Sequence, residues 1–150
     1  MKFLNLDRVL CLSAHPDDAE YGMLGSMMKF TKTQFDVAVL SNGGDFDGST
    51  GTNRIKECSD IWGSLSNVSG NFLDNNYIKD RPEDSWINKI EKKYDVNSYD
   101  VIFTTPHLDT HFEHRIVNRI AWALIRSSKC GLITYKAPST METWKPNYYT

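Results

Sequence analysis

Long apolar runs are missing from this chain. A membrane-spanning helix needs about 20 consecutive apolar residues, and charged side chains interrupt every apolar run well before that length. A basic excess is missing too. Lys and Arg number 17 against 19 Asp and Glu, a net charge of -2, which argues against a general nucleic-acid binder. Cysteine is scarce: Cys11, Cys58 and Cys130, with no C-x-x-C pair. An odd, scattered set reads as reduced thiols of a cytoplasmic protein, not as a disulfide framework. The start, "MKFLNLDRVL", is too short in its apolar part for a signal peptide and carries Asp7. Without a secretion signal, the sequon Asn67-Val68-Ser69 carries little weight. Repeats, linkers and low-complexity segments are also absent.

What is present is ordinary for one domain with a real core: 150 residues, 40% hydrophobic and 24% charged. Short apolar runs at 8–14, 35–41, 99–106 and 131–137 read as strands, with a shorter candidate at 70–74. Helical spacing covers 20–32, 53–65, 82–95 and 111–128. In the last of these, Ile116, Ile120, Ala123 and Leu124 form the expected apolar face. The segment 42–51, "NGGDFDGSTG", is loop by composition. Strands alternating with helices predict an α/β fold with a mostly parallel sheet covered on both faces. Ligands of such sheets gather beyond the carboxyl ends of the strands. The loops "AHPDDAE" (14–20), "SNGGD" (41–45) and "TPHLDTHFEH" (105–114) are therefore expected to converge on one edge.

"AHPDDAE" sets three carboxylates beside a histidine, and such acids repel one another unless something positive sits among them. His15 and Asp18 are three residues apart, as are His111 and His114 at the start of another helix. Two histidines and one aspartate drawn from these loops make a three-ligand set with an open position, the catalytic type of zinc site. The same set suits iron(II). If Asp18 is a ligand, Asp17 keeps a free carboxylate that can take a proton from metal-bound water. The remaining histidine, as imidazolium, could face the reacting carbonyl and stabilise an oxyanion. Together these parts describe metal-assisted hydrolysis of an amide or ester. The competing reading makes "HPDD" a helix N-cap and H-x-x-H a surface pair. Glu20 reads as a first-turn acid or an outer partner of the site, and His107 as a loop residue. Asp45 and Asp47 read as turn formers beside glycines.

The same motifs resemble a known family. "AHPDDAEYGMLG" is similar to the first signature of the PIG-L / LmbE-like zinc-dependent N-deacetylases, [AS]-H-P-D-D-x-E before a glycine-rich helix start. "DTHFEHR" (109–115) resembles the second, D-x-H-P-D-H-R. "LSNGG" (40–44), "NRIKECSDIWG" (53–63) and "YKAPSTMETWKPNYY" (135–149) are similar to later family segments and arrive in the right order.

The resemblance implies a Rossmann-like three-layer α/β sandwich, with residues 1–150 as a single domain that stops short of the usual C-terminal portion. It implies His15, Asp18 and His114 as zinc ligands, with iron(II) possible on the same set. Asp17 becomes the general base and later the acid, and His111 the oxyanion stabiliser. Arg54 and Asn42 become substrate-binding residues, with Glu113 and Glu20 as outer partners orienting the site. The implied activity removes an N-acetyl group from an N-acetylglucosamine-type sugar conjugate, with zinc-bound water as nucleophile. The implied partner is a small-molecule conjugate, with no nucleic acid and no membrane span; a homo-oligomer is left open. The alternatives are a hydrolase of a different amide or ester, and a non-catalytic sugar- or metal-binding module. Two departures stand in the second signature: Phe112 replaces the usual Pro, and Glu113 the usual Asp. That Asp normally partners the histidine at 111, and Glu is one methylene longer.

Overall fold

The computed structural model describes residues 6–42, 50–75 and 77–146. Among them run five strands and four helices: β1 (Arg8–Ser13), α1 (Asp18–Lys29), β2 (Gln34–Ser41), α2 (Thr50–Gly63), β3 (Val68–Asp74), α3 (Glu83–Lys93), β4 (Val101–Thr104), α4 (Phe112–Ile125) and β5 (Gly131–Thr134). Two single 3-10 turns, Ile78–Asp80 and Val96–Ser98, were not legible as elements in the sequence.

The strands form one sheet in the order β3-β2-β1-β4-β5, every neighbouring pair parallel. Side chains alternate across a strand with period two, and β1 displays the consequence. Leu10 and Leu12 join one core cluster, with Trp86 and Ile90 of α3 and Ile116, Val117, Ile120 and Leu124 of α4. Val9 and Cys11 join the other, with Met23 and Met27 of α1 and Cys58 and Trp62 of α2. All four of these β1 residues are fully buried. The apolar run that suggested a buried strand is thus sandwiched between two helical layers, each buried aliphatic side chain contributing about 1.5–3 kcal/mol before entropy.

Element boundaries differ from expectation where polar turns intervene. Helix α1 starts at Asp18, not 20. Strand β4 stops at Thr104 and β5 at Thr134, short of the expected 106 and 137. Strand β3 begins at Val68, paired with Phe35. The anticipated 42–51 loop ends early, since α2 begins at Thr50; positions 43–49, with Asp45 and Asp47, lie outside the described residues. So do Tyr148 and Tyr149. On α4, Val117 and Ala121 are fully buried, whereas Ala123 sits at the half-buried margin. Among the described residues, no helix is long and apolar enough to cross a membrane.

The strand order matters for function. The connection after β1 leads to α1 on one face, and the connection after β4 leads to α4 on the other. Neighbouring strands whose helices depart to opposite faces leave a crevice at their carboxyl ends. The two histidine-bearing loops leave from these two strands.

Candidate metal and active site

The turn after β1 is held by its own polar groups. Ser13 Oγ donates to the His15 carbonyl at 2.6 Å, and the His15 N–H donates to Asp18 Oδ2 at 2.9 Å. Between them Asp17 adopts φ 94°, the single left-handed non-glycine residue among those described. Such a conformation costs a non-glycine residue of order 1–3 kcal/mol, and strain of this kind concentrates at functional sites. The two consecutive carboxylates end in different environments. Asp18 is buried at 3% exposure, whereas the Asp17 side chain stays 54% exposed and pairs through Oδ2 with Arg54 at 2.6 Å.

The second loop brings the other histidines. His111 is the N-cap of α4, its Nδ1 accepting from the Glu113 backbone N–H at 3.3 Å. Glu113 and His114 follow in the first turn, both buried. His114 Nε2 lies 3.2 Å from Asp18 Oδ1, and His15 Nδ1 lies 3.6 Å from Asp18 Oδ2. The ring centroids are 4.7 Å apart for His15–His111, 5.5 Å for His15–His114 and 4.6 Å for His111–His114. Each of the three rings offers a nitrogen within 4.8 Å of the others'. Residues nearly 100 positions apart in sequence therefore share one small space, buried at His15 and His114 and open to solvent at His111, with Asp18 bridging two of the rings.

The charges balance locally. Burial alone would raise the Asp18 carboxyl, but hydrogen bonds to His114 and His15 hold it well below the usual range. Burial would lower His15, yet Asp18 and Glu113 carry it up to about 9. His114 is raised in the same way, against burial, by Asp18 and Asp109. His111 moves the other way: burial lowers it, and the neighbouring His15 and His114 lower it further. The imidazolium expected at this position is therefore disfavoured. A neutral His111 with Nδ1 accepting keeps one donor, Nε2–H.

The donor set suits a divalent cation. An ionised carboxylate and imidazole nitrogens are zinc and iron(II) ligands, and the protons held by His15 and His114 are those a cation displaces on binding.

One residue sits differently from expectation. Glu113, placed by its sequence position opposite His111, instead meets His15: Oε2 is 2.7 Å from Nε2, and Oε1 accepts from the Lys79 N–H at 3.0 Å. Its extra methylene carries the carboxylate past the ring of its own loop. Glu20 faces α2. It accepts from Trp62 Nε1, the Asp17 N–H and Cys58 Sγ, so it ties α1 to α2 without touching the histidines. Arg54 rests on Asp17, and Asn42, half-buried at the end of β2, donates its backbone N–H to the Asp74 carbonyl. His107 is an exposed loop residue, as expected.

Asp109, the first residue of the motif "DTHFEHR", has a part in the geometry that its place in the motif does not specify. Asp109 is fully buried; Oδ2 lies 3.1 Å from His114 Nδ1, and Oδ1 accepts from the His111 N–H at 2.8 Å. Thr140 Oγ1 donates to the same carboxylate at 3.2 Å, across an isolated bridge between Asp109 and Thr140. Its sequence signal is its place at the head of that motif, five residues before a ligand-type histidine.

Known proteins share this arrangement of strands and helices. The family model described as PIG-L, GlcNAc-PI de-N-acetylase, matches residues 10–125. No curated protein sequence matches. Several solved structures share the fold. An N,N'-diacetylchitobiose deacetylase from Pyrococcus horikoshii aligns with TM-score 0.64 and 21% identity over 81% of this chain and 50% of its own. A deacetylase triple mutant of the teicoplanin biosynthetic pathway aligns with TM-score 0.68 and 16% identity over 85% of this chain and 64% of its own. The 4-carboxy-2-hydroxymuconate hydratase of Pseudomonas putida KT2440 aligns with TM-score 0.66 and 16% identity over 79% and 55%. At such identities the likeness is one of fold, and this chain spans about half the length of the chitobiose deacetylase.

Proposed function

The chain belongs to the PIG-L, GlcNAc-PI de-N-acetylase, family, and from that premise we propose that it is a metal-dependent hydrolase that removes the N-acetyl group of an N-acetylglucosamine-type sugar conjugate. The observation that carries the reading is the gathering of His15, Asp18, His111 and His114 at the switch point of the sheet, with the Asp17 carboxylate beside them and free of them. A fold shared with a hydratase does not choose a reaction; this set of residues, within this family, supports metal-assisted hydrolysis.

His15, Asp18 and His114 would hold the ion, zinc or iron(II), which when bound supplies a Lewis acid and makes water acidic near neutral pH. Asp17, anchored by Arg54, accepts the proton that water loses as its oxygen attacks the acetyl carbonyl carbon. As the carbon–nitrogen bond breaks, Asp17 delivers that proton to the leaving amine. The products are acetate and a free amino sugar. His111 faces the same space and offers Nε2–H to the carbonyl oxygen as it gains negative charge. The sugar class is favoured by the family description and by the chitobiose and teicoplanin-pathway deacetylases that share the fold.

The experiment compares wild type with Asp17→Asn for bound metal and for acetate release from N-acetylglucosamine conjugates. We expect one divalent ion per chain in both proteins and turnover lost by at least about 100-fold in the variant. Metal retention with no acetate from any conjugate would move the chain to the non-catalytic binding class. Turnover of other amides or esters alone would keep the mechanism and discard the sugar.

A further inference from the structure

We propose that Glu113 selects which nitrogen of His15 is offered to a metal ion, acting as a positioning residue for the ligand set. The inference rests on the metal-site reading above and deepens it. Glu113 sits in the first turn of α4 and is buried, as is His15. One carboxylate oxygen is fixed by the Lys79 backbone N–H at 3.0 Å; the other lies 2.7 Å from His15 Nε2. An ionised carboxylate only accepts, so Nε2 carries the proton in this contact. The lone pair of the neutral ring is then left on Nδ1.

Nδ1 is the nitrogen that faces the rest of the cluster. It lies 3.6 Å from Asp18 Oδ2, while Asp18 Oδ1 meets His114 Nε2 at 3.2 Å. His114 is treated the same way from the opposite end: its Nδ1 is 3.1 Å from Asp109 Oδ2, which leaves Nε2 for the shared space. Each putting forward one nitrogen, the two histidines are held by two buried carboxylates through their other nitrogens. Carboxylate–histidine–metal relays of this kind fix ring orientation and raise ligand basicity. Glu113 is long enough to reach across from the first turn of α4 to the β1 loop, 98 residues away. His111 is left with a backbone N–H on its Nδ1 and no carboxylate there.

The replacement Glu113→Gln tests this at nearly constant shape. The Lys79 N–H needs an acceptor, so the Gln oxygen stays with it and the amide NH2 turns to His15 Nε2. That forces the ring proton onto Nδ1, where it blocks coordination. Zinc affinity is measured by competition with a chromophoric chelator, and the zinc-loaded, 15N-labelled protein is examined by long-range 1H–15N NMR. In wild type we expect zinc on His15 Nδ1 and a proton on Nε2; in the variant, affinity falls about 10–100-fold. Zinc on Nε2 in wild type overturns the proposal. So does a folded variant, by circular dichroism, that binds zinc as tightly as wild type. If the variant does not fold, the wild-type spectrum still decides. A wild type that takes up no zinc sinks the metal-site reading and this inference with it, an outcome distinct from the others.

Discussion

Asp109 and His114 are joined by a contact of 3.1 Å between a carboxylate and an imidazole that are both almost fully out of water. The same carboxylate holds the His111 N–H and the Thr140 hydroxyl. It therefore fixes the entry of α4, one ring orientation and the return of the chain after β5. Replacing Asp109 by Asn keeps the volume and removes the charge. We expect Asp109→Asn to weaken zinc binding by about 10–100-fold and to cost about 1–3 kcal/mol of stability through the loosened buried bonds. Chelator competition and urea unfolding of the metal-free protein check both. Unchanged zinc affinity would show that His114 is oriented without the Asp109 charge, by packing and the Ser139 hydroxyl 3.1 Å from the same nitrogen.

Arg54 offers a sharper distinction, because its sequence position and its contact suggest different work. The resemblance marks it for substrate binding; in the fold its guanidinium sits on Asp17 Oδ2 at 2.6 Å. If it anchors the base, Arg54→Met lowers kcat by about 10–100-fold through misplacement of Asp17, with zinc affinity and KM little changed. If it binds substrate alone, KM rises and kcat holds. Steady-state kinetics on an N-acetylated conjugate separates the two.

Much of this arrangement was legible in the sequence because it rests on period and spacing. The run "RVLCLSA" reads as a strand buried on both faces, and β1 divides its side chains between two helical layers. Once strand–helix alternation implies a parallel sheet, the histidine loops are placed at strand ends, and their meeting needs only that β1 and β4 be neighbours. What was not legible depends on side-chain reach. Nothing in "HFEH" says whether a glutamate turns to His111 or crosses to His15; the difference is one methylene and the position of the Lys79 N–H. Asp109 opens the motif "DTHFEHR", yet the motif does not say that its carboxylate would meet His114, the His111 N–H and Thr140. Glu20 is the first-turn acid its position suggests, but its bonds to Trp62 and Cys58 of α2 could not be read from spacing.

Two glycines should respond in opposite directions. Gly70 lies on β3 under the Trp62 ring: a Cβ there would fall 2.0 Å from Trp62 Cε3. The ring cannot easily retreat, because it bonds Glu20 at its nitrogen and stacks on Phe72 at 5.1 Å. Gly70→Ala is expected to cost about 1–3 kcal/mol by overpacking. Gly25 lies within α1, and a Cβ added there would meet nothing within 4 Å. Gly25→Ala should therefore stabilise by about 0.5–1 kcal/mol through helix propensity. Urea midpoints of both variants give the test; a stabilised Gly70→Ala would mean that Trp62 has room to move.

Alkaline pH should weaken the fold before it ionises the native core. Burial, with Glu20 nearby, pushes the Cys58 thiol from an ordinary 9.0 up to about 12. Burial likewise pushes the Tyr94 hydroxyl from 10.0 up to about 12. Both groups are nearly inaccessible, at 3% and 7% exposure. A raised folded-state value means that the unfolded chain loses the proton first. The stabilisation is complete below about pH 9 and drains away as pH rises toward 12. At pH 10.5 the Cys58 thiol alone should remove about 2 kcal/mol, since each pH step past its unfolded value is worth about 1.4 kcal/mol. Urea unfolding at pH 8, 9.5 and 10.5 should show a falling midpoint, with a shallower fall in Cys58→Ala. A flat profile to pH 10.5 would mean that these groups ionise as readily in the fold as out of it, and that the interface between α2 and the sheet admits water.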